Sequence, residues 1–172
     1  MRRICDEGKC TACGACVQAC PKKCIEKIVT KDASFYYSID EKKCISCKKC
    51  ERVCPSLKSP IFNKAKKSYA AWRTDSTLHF ESASGGIATA FYEYAVTQKM
   101  FFSGVSLNDK FEAHFKLTDR VENIKDFKNS KYTFSFASDI FDEILNKLKC
   151  VYDVLFIGLP CQVAAIKNLV RI

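Results

Sequence analysis

The sequence lacks the signatures of several common classes of protein. It contains neither G-x-G-x-x-G nor G-x-x-x-x-G-K followed by Ser or Thr, so no Rossmann-type or P-loop nucleotide site is predicted. Its longest nearly unbroken apolar run, residues 154–166, is too short to span a bilayer, and the N-terminus has no apolar segment like that of a signal peptide. The two histidines, His79 and His114, stand alone and are predicted to be surface residues. We therefore expect a cytoplasmic protein without a membrane span.

Cysteine, in contrast, is abundant and regularly spaced. Eight of the twelve cysteines form two runs of the pattern C-x-x-C-x-x-C-x-x-x-C-P. In runs of this type three thiolates bind one 4Fe-4S cluster and the fourth binds the other cluster. The sequence therefore predicts two 4Fe-4S clusters with crossed ligands. The predicted ligand sets are Cys10, Cys13, Cys16 and Cys54 for the first cluster, and Cys44, Cys47, Cys50 and Cys20 for the second.

The two runs belong to an internal repeat. An offset of 34 residues superposes them and also places Lys9 on Lys43 and Asp6 on Asp40. A repeat of this kind predicts two similar halves related by a pseudo-twofold axis. On these features residues 1–60 resemble the bacterial dicluster ferredoxins. Paired C-x-x-C elements can also bind zinc, but two three-cysteine runs that each end in Cys-Pro favour clusters.

Two further cysteines, Cys5 and Cys24, lie close to the runs. Cys5 superposes on Ile39 in the repeat, and Cys24 occupies a position where ferredoxins usually have alanine. Free cysteine packs as a small apolar side chain. We therefore interpret both as buried small hydrophobic residues and not as ligands.

The excess positive charge of the chain lies in its N-terminal part. Residues 1–67 contain 16 Lys and Arg against 7 Asp and Glu, whereas residues 68–172 contain 12 of each. Two interpretations stay open: the charge offsets that of the cluster thiolates, or it attracts an acidic redox partner such as ferredoxin or flavodoxin. Because lysine pairs flank the predicted cluster ligands, nucleic acid is not predicted as a partner.

After a linker at residues 61–67, residues 68–172 predict alternating strands and helices. The predicted elements are strands at 68–73, 100–107, 111–117 and 151–157, and helices at 87–98, at 139–149 and from about Cys161 onward. Ser84 is the predicted N-cap of the first helix. A helix start at Cys161 directs backbone N–H groups to one point, which suits phosphate. The predicted fold class is α+β, with a ferredoxin-like dicluster domain followed by a partial α/β domain.

Three motifs of this second region resemble one family. They are Ser84-Gly85-Gly86 before a helix, Ser130-Lys131-Tyr132, and Gly158-Leu159-Pro160-Cys161-Gln162. On these motifs residues 68–172 are similar to the N-terminal part of the coenzyme F-420 hydrogenase/dehydrogenase beta-subunit family. That family continues well beyond the last motif, so we expect the chain to be an incomplete member.

The resemblance implies a cofactor and a function. Family members are iron-sulfur flavoproteins that bind FAD and pass electrons between clusters and a deazaflavin or another small-molecule acceptor. The residues that the resemblance assigns to the flavin are Ser84, Gly85, Gly86, Ser130, Lys131, Tyr132, Pro160, Cys161 and Gln162. The predicted function is an iron-sulfur oxidoreductase that passes electrons from a low-potential carrier through two clusters to FAD. The alternative is a non-catalytic ferredoxin-type carrier with a docking or vestigial C-terminal module.

Overall fold

The computed structural model describes residues 2–6, 8–31, 35–59 and 64–171. The chain is mixed α and β and divides into two compact units. The first unit comprises Met1–Ile61, Phe136–Asp142 and Leu159–Ile172, and the second comprises Phe62–Ser135 and Glu143–Gly158. Within the described residues no helix is both long and apolar enough to cross a membrane.

The first unit contains a small antiparallel sheet. Its strands are β1 (Arg2–Arg3), β2 (Ile25–Val29) and β3 (Phe35–Ile39), in the order β1-β3-β2. Ile39 pairs with Ile25 on one side and with Arg2 on the other. Ile39 is almost fully buried, so the centre of the sheet lies in the core of this unit. Strand β3 precedes the second cysteine run.

Two short helices repeat the same backbone in both cysteine runs. Helix α1 (Ala15–Ala19) follows Gly14, and helix α2 (Lys49–Val53) follows Lys48. Gly14 and Lys48 both have positive φ, 80° and 58°. The backbone N–H of Val17 donates to Gly14 O, and that of Glu51 donates to Lys48 O, both at 3.1 Å. The 34-residue repeat of the sequence is therefore a repeat of turn and helix geometry.

Helix α6 (Pro160–Leu169) packs against both of these helices inside the first unit. The buried amide of Asn168 donates to Val53 O at 3.2 Å and to Lys58 O at 2.8 Å. These hydrogen bonds and the burial of Leu169 group this segment with the ferredoxin-like residues. The sequence had assigned residues 136–142 and 159–172 to the second domain, and the compact units place both with residues 1–61. The compact units describe contacts within this structure, and the division into domains at residues 1–60 and 68–172 stays a prediction.

The second unit is built on a three-stranded mixed sheet. Strands β4 (Phe101–Leu107) and β5 (Ala113–Thr118) form an antiparallel hairpin, and β6 (Val154–Phe156) pairs parallel to β4. Helix α4 (Ile87–Thr97) and a 3-10 helix (Val121–Phe127) pack on β4. The core is Tyr92, Ala95, Phe102 and Ile124. Helix α5 (Ser138–Lys149) is divided between the two units after Asp142.

Several expectations for this region are wrong in detail. Residues 68–73 are not a strand, and a short helix α3 (Ser76–Phe80) follows them, with the side chain of Asp75 accepting from Leu78 N. Gly86, not Ser84, is the N-cap of α4. The last strand is confined to 154–156. The hairpin and the helices near 87–98 and 139–149 are confirmed, because their hydrophobic patterns were long enough to define one period.

Candidate iron-sulfur centres

The four thiols of the predicted first ligand set line one cavity in the first unit. Cys10, Cys13 and Cys16 come from the first run, and Cys54 comes from the end of the second. Cys13 and Cys16 are buried, whereas Cys10 and Cys54 are partly exposed. Ligands from both runs thus face the same space. A set of four cysteine thiols is the donor set of a 4Fe-4S cluster, and the cavity fits that group.

Local backbone geometry positions these thiols. Gly14 is buried at the start of α1, and a Cβ there would lie 2.8 Å from the Cβ of Ser138. Only glycine combines its positive φ with this close approach. Cys54 follows α2 directly and has extended backbone, with φ −68° and ψ 118°. Because α2 ends at Val53, the extended residue Cys54 can reach the cavity lined by Cys10, Cys13 and Cys16.

Burial makes isolated thiolates costly in this cavity. Burial raises the pKa of Cys13 to about 11 and raises that of Cys16 further, with a contribution from the neighbouring thiols. Backbone N–H groups of Ala15 and Val17 donate to the two sulfurs and partly oppose this effect. Several thiolates can coexist here only beside strong positive charge. An iron-sulfur core bound by these thiols would supply that charge.

Three thiols of the predicted second set lie close together. Cys20, Cys44 and Cys50 pack on the buried core of the first unit and lie within electrostatic range of each other. The N–H of Ser46 donates to Cys44 Sγ at 3.4 Å. Burial opposes ionisation of Cys20, but backbone N–H donors, led by that of Cys24, bring its pKa below the ordinary value. The fourth member, Cys47, is exposed.

Two thiols that the sequence interpretation set aside lie at these sites. Cys5 lines the first cavity, and Cys24 Sγ is 3.4 Å from Cys20 Sγ. Both are buried, as predicted. The interpretation of both as small buried apolar residues did not include these contacts with predicted ligands. Sequence spacing could not reveal it, because neither residue has a cysteine at its repeat-related position.

Within the described part of the chain, no group of three or more Cys, His, Asp or Glu side chains closes around a single metal ion. A four-iron cluster differs from a single ion because each of its corners takes one thiolate of its own. The sulfurs at its corners therefore stand further apart than those around one zinc ion.

Four of the predicted flavin residues line one open cavity of about 440 Å³ in the second unit. They are Ser84, Gly85, Gly86 and Ser130, which come from the loop before α4 and from the segment after the 3-10 helix. A Cβ at Gly85 would lie 2.7 Å from Ala71 O, so this loop depends on glycine. The volume is within the usual range for small-molecule sites.

Lys131 and Tyr132 border a neighbouring cavity that shares Ser130. The Nζ group of Lys131 donates to the backbone oxygens of Asp126, Lys128 and Asn129. An ammonium group has three N–H donors, so these contacts use all of them to hold the loop. Tyr132 is 97% exposed.

Pro160, Cys161 and Gln162 belong to the first unit, not to the second. Pro160 is the first residue of α6, and the side-chain oxygen of Gln162 accepts from Leu159 N at 2.8 Å. Gln162 is buried and closes the start of the helix. Cys161 lies near enough to Cys13 to contribute to its raised pKa, after the larger effect of burial.

Comparison with known families identifies the N-terminal part of the chain. Residues 9–57 match a family model described as a 4Fe-4S dicluster domain, and residues 36–95 match a second model with the same description. Residues 9–57 form a 4Fe-4S dicluster domain. The dicluster domain is ferredoxin-like, and its role is iron-sulfur electron transfer. A search of curated proteins finds no match to the chain.

Proposed function

We propose that the chain is an electron-transfer protein that holds two 4Fe-4S clusters by crossed ligation. The observation that supports this most directly is the cavity shared by Cys10, Cys13, Cys16 and Cys54. Each cluster supplies a site that accepts and releases one electron. The chain's own residues contribute the thiol ligands, the N–H groups that donate to sulfur and the aromatic rings of Tyr36 and Tyr37 that line the first cavity. Such hydrogen bonds and shielding tune the reduction potential.

The variant Cys20→Ala tests crossed ligation. Cys20 is in the first run, but the proposal assigns it to the cluster of Cys44, Cys47 and Cys50. Electron paramagnetic resonance of the reduced protein, with iron analysis, should show loss or alteration of that cluster and an unchanged first cluster. Cys54→Ala is the matched variant in the other run and should alter the first cluster. If each variant damages the cluster of its own run, the assignment is wrong.

We further propose that an acidic redox protein such as ferredoxin or flavodoxin docks beside the second run. Exposed lysines flank its cysteines, among them Lys42 and Lys49. Opposite charges attract over about 8 Å at physiological ionic strength, so the rate of reduction should fall as salt rises. Lys42→Glu with Lys49→Glu should reduce the rate and its salt dependence, while Lys110→Glu in the second unit should not. Equal rates at low and high salt would contradict this partner.

The second unit is proposed to bind FAD and to make the chain an oxidoreductase. Electrons would then pass from the clusters to FAD and on to a deazaflavin or another small-molecule acceptor. The support is the resemblance to the coenzyme F-420 hydrogenase/dehydrogenase beta-subunit family, together with the cavity shared by Ser84, Gly85, Gly86 and Ser130. Lys131 is proposed to shape this site by holding its loop, because its donors are directed to backbone oxygens.

Flavin and iron content of the same preparation test this proposal against the alternative of a non-catalytic carrier. Bound FAD with about eight iron atoms supports the oxidoreductase, whereas iron without flavin supports the carrier with a docking module. Ser84→Phe fills the cavity and should remove flavin while iron content stays constant. Loss of both would mean that the variant is misfolded, and Ser84→Ala should then retain both.

A reducing compartment, the cytoplasm, is the proposed location. No disulfide joins any of the twelve cysteines, and cysteines stay reduced where glutathione and thioredoxin are present. Cell fractionation with an antibody to the chain tests the location, and recovery of the protein from an oxidising compartment would contradict it.

A further inference from the structure

The first cavity contains five cysteine thiols, one more than a four-iron cluster binds. Cys5 lines it together with Cys10, Cys13, Cys16 and Cys54. Each iron of a cubane takes one protein thiolate, so four ligands complete the coordination. The fifth thiol is therefore either a packing residue or a competitor for one of the four positions.

Strand pairing holds Cys5 at this place. It follows β1, whose Arg2 and Arg3 pair with Ile39 and Ser38 of β3. The residue is 9% exposed, and its thiol lies beside the thiols of Cys54 and Cys10. A small apolar residue would fill the same volume, but it would place no donor atom beside the ligand positions.

Cys54 is the ligand that Cys5 is best placed to replace. It is the only one of the four predicted ligands that reaches the cavity from the other run, at the end of α2, and like Cys10 it is partly exposed. Cys13 and Cys16 are buried on either side of Gly14 and are held by N–H donors from the start of α1. Movement at the end of α2 would therefore displace Cys54 without displacing the three ligands of the first run.

We propose that Cys5 is a reserve ligand that takes the place of Cys54 at the first cluster. In the exchange the bond from iron to Cys54 Sγ breaks and a bond from iron to Cys5 Sγ forms. The proton of the Cys5 thiol passes to the departing Cys54 thiolate, so no electron is gained or lost. The exchange frees the first cluster from its one ligand in the second run. This inference rests on the proposed two-cluster function.

Iron analysis and electron paramagnetic resonance of four variants test the exchange. Cys54→Ala should retain about eight iron atoms, with an altered spectrum for one cluster. Cys5→Ala should retain the same iron with the wild-type spectrum. Cys54→Ala combined with Cys5→Ala should lose at least one iron, because only three thiols of the cavity are left. Cys54→Ala combined with Cys150→Ala is the matched control, since Cys150 is a cysteine that does not line this cavity, and it should behave as Cys54→Ala alone.

The outcomes separate this inference from the proposed function. Wild-type protein without two clusters would overturn the function itself. Wild-type protein with two clusters, but equal iron loss in Cys54→Ala with and without Cys5, would overturn only the reserve ligand. Rescue by Cys5 in Cys10→Ala and not in Cys54→Ala would also overturn it. An unchanged spectrum of the second cluster shows that a variant is folded, and Cys54→Ser replaces Cys54→Ala if it is not.

Discussion

The two cysteine runs have the same backbone but different surroundings. Ala12 and Ser46 are repeat-related and have φ of 53° and 55°, and both runs continue into a five-residue helix. In the first run Cys13 is buried, whereas its counterpart Cys47 is exposed. A duplicated sequence therefore reproduces turns and helix starts, because these depend on neighbouring residues. It does not reproduce burial, which depends on what the rest of the unit places over each run.

Residues distant in sequence cover the first run. Ser138 lies against Gly14 and beside the Tyr37 side chain, and Phe136 packs against Phe35 with ring centroids 4.8 Å apart. In the second run Lys48 stands where the first has Gly14, and its side chain is exposed. Glycine therefore stands at the repeat position that Ser138 covers, and lysine stands at the equivalent position that is exposed.

The largest expected effect comes from Gly14→Ala, which should destabilise the first run. A positive φ costs an alanine roughly 1–2 kcal/mol, and overpacking against Ser138 adds a similar amount, so the loss is about 3 kcal/mol. Anaerobic thermal unfolding measures it. Gly8→Ala is the control, because Gly8 has φ of 76° but no atom within 4 Å of the added Cβ, and it should lose only about 1 kcal/mol. Equal losses would contradict the role of Ser138.

Asn168→Ala should have the next largest effect, at the end of the second run. It removes a buried amide and leaves Val53 O and Lys58 O without that donor, which costs about 2 kcal/mol. Because these carbonyls flank Cys54, the first cluster should also be lost faster in air. Asn146→Ala, at an exposed position, should change neither unfolding nor cluster lifetime. An unchanged lifetime in Asn168→Ala would separate α6 from the placement of Cys54.

The two clusters should differ in reduction potential. Reduction adds negative charge, which burial disfavours and lysines favour. The proposed second cluster has exposed Cys47, and lysines follow or precede its ligands, so it should be reduced first. We expect a separation of at least about 60 mV, a tenfold difference for one electron. A titration followed by electron paramagnetic resonance measures it, and Lys42→Gln with Lys49→Gln should narrow the separation. The opposite order would mean that hydrogen bonds to sulfur outweigh exposure.

The smallest expected effect is a gain in stability from Lys48→Gly. Lys48 has φ of 58°, and glycine relieves the strain of that conformation, so we expect about 1 kcal/mol of stabilisation. Lys49→Gly is the control, since Lys49 is the first residue of α2 and glycine within a helix is destabilising by up to about 1 kcal/mol. If Lys48→Gly and Lys49→Gly destabilise the protein equally, the Lys48 side chain contributes more to stability than relief of its positive φ.

The candidate sites could be predicted from sequence to different degrees. Cysteine spacing identified the dicluster domain, because this ligand pattern depends on a few residues at short range. The flavin motifs were less informative: Lys131 was assigned to a cofactor by resemblance, but its donors hold backbone oxygens of its own loop. Cys5 was interpreted as a small apolar residue because it superposes on Ile39 in the repeat, and spacing does not show that it lies beside Cys54 of the other run. Hydrophobic periodicity predicted α4, but it does not show that Tyr92 is buried in this helix while Phe91 and Tyr94 are exposed.

The sequence by itself determined the two runs, their turns and the helices that follow them, because positive φ, helix starts and N–H groups directed at sulfur arise from neighbouring residues. Only the tertiary structure decided which thiols share a cavity, which run is covered, and that α6 packs beside α1 and α2. These features depend on apolar burial and on single contacts such as those of Asn168 and Ser138. The hydrophobic effect is non-directional, and any segment of the chain can bury a given residue. A local sequence pattern therefore does not specify which distant segment covers it.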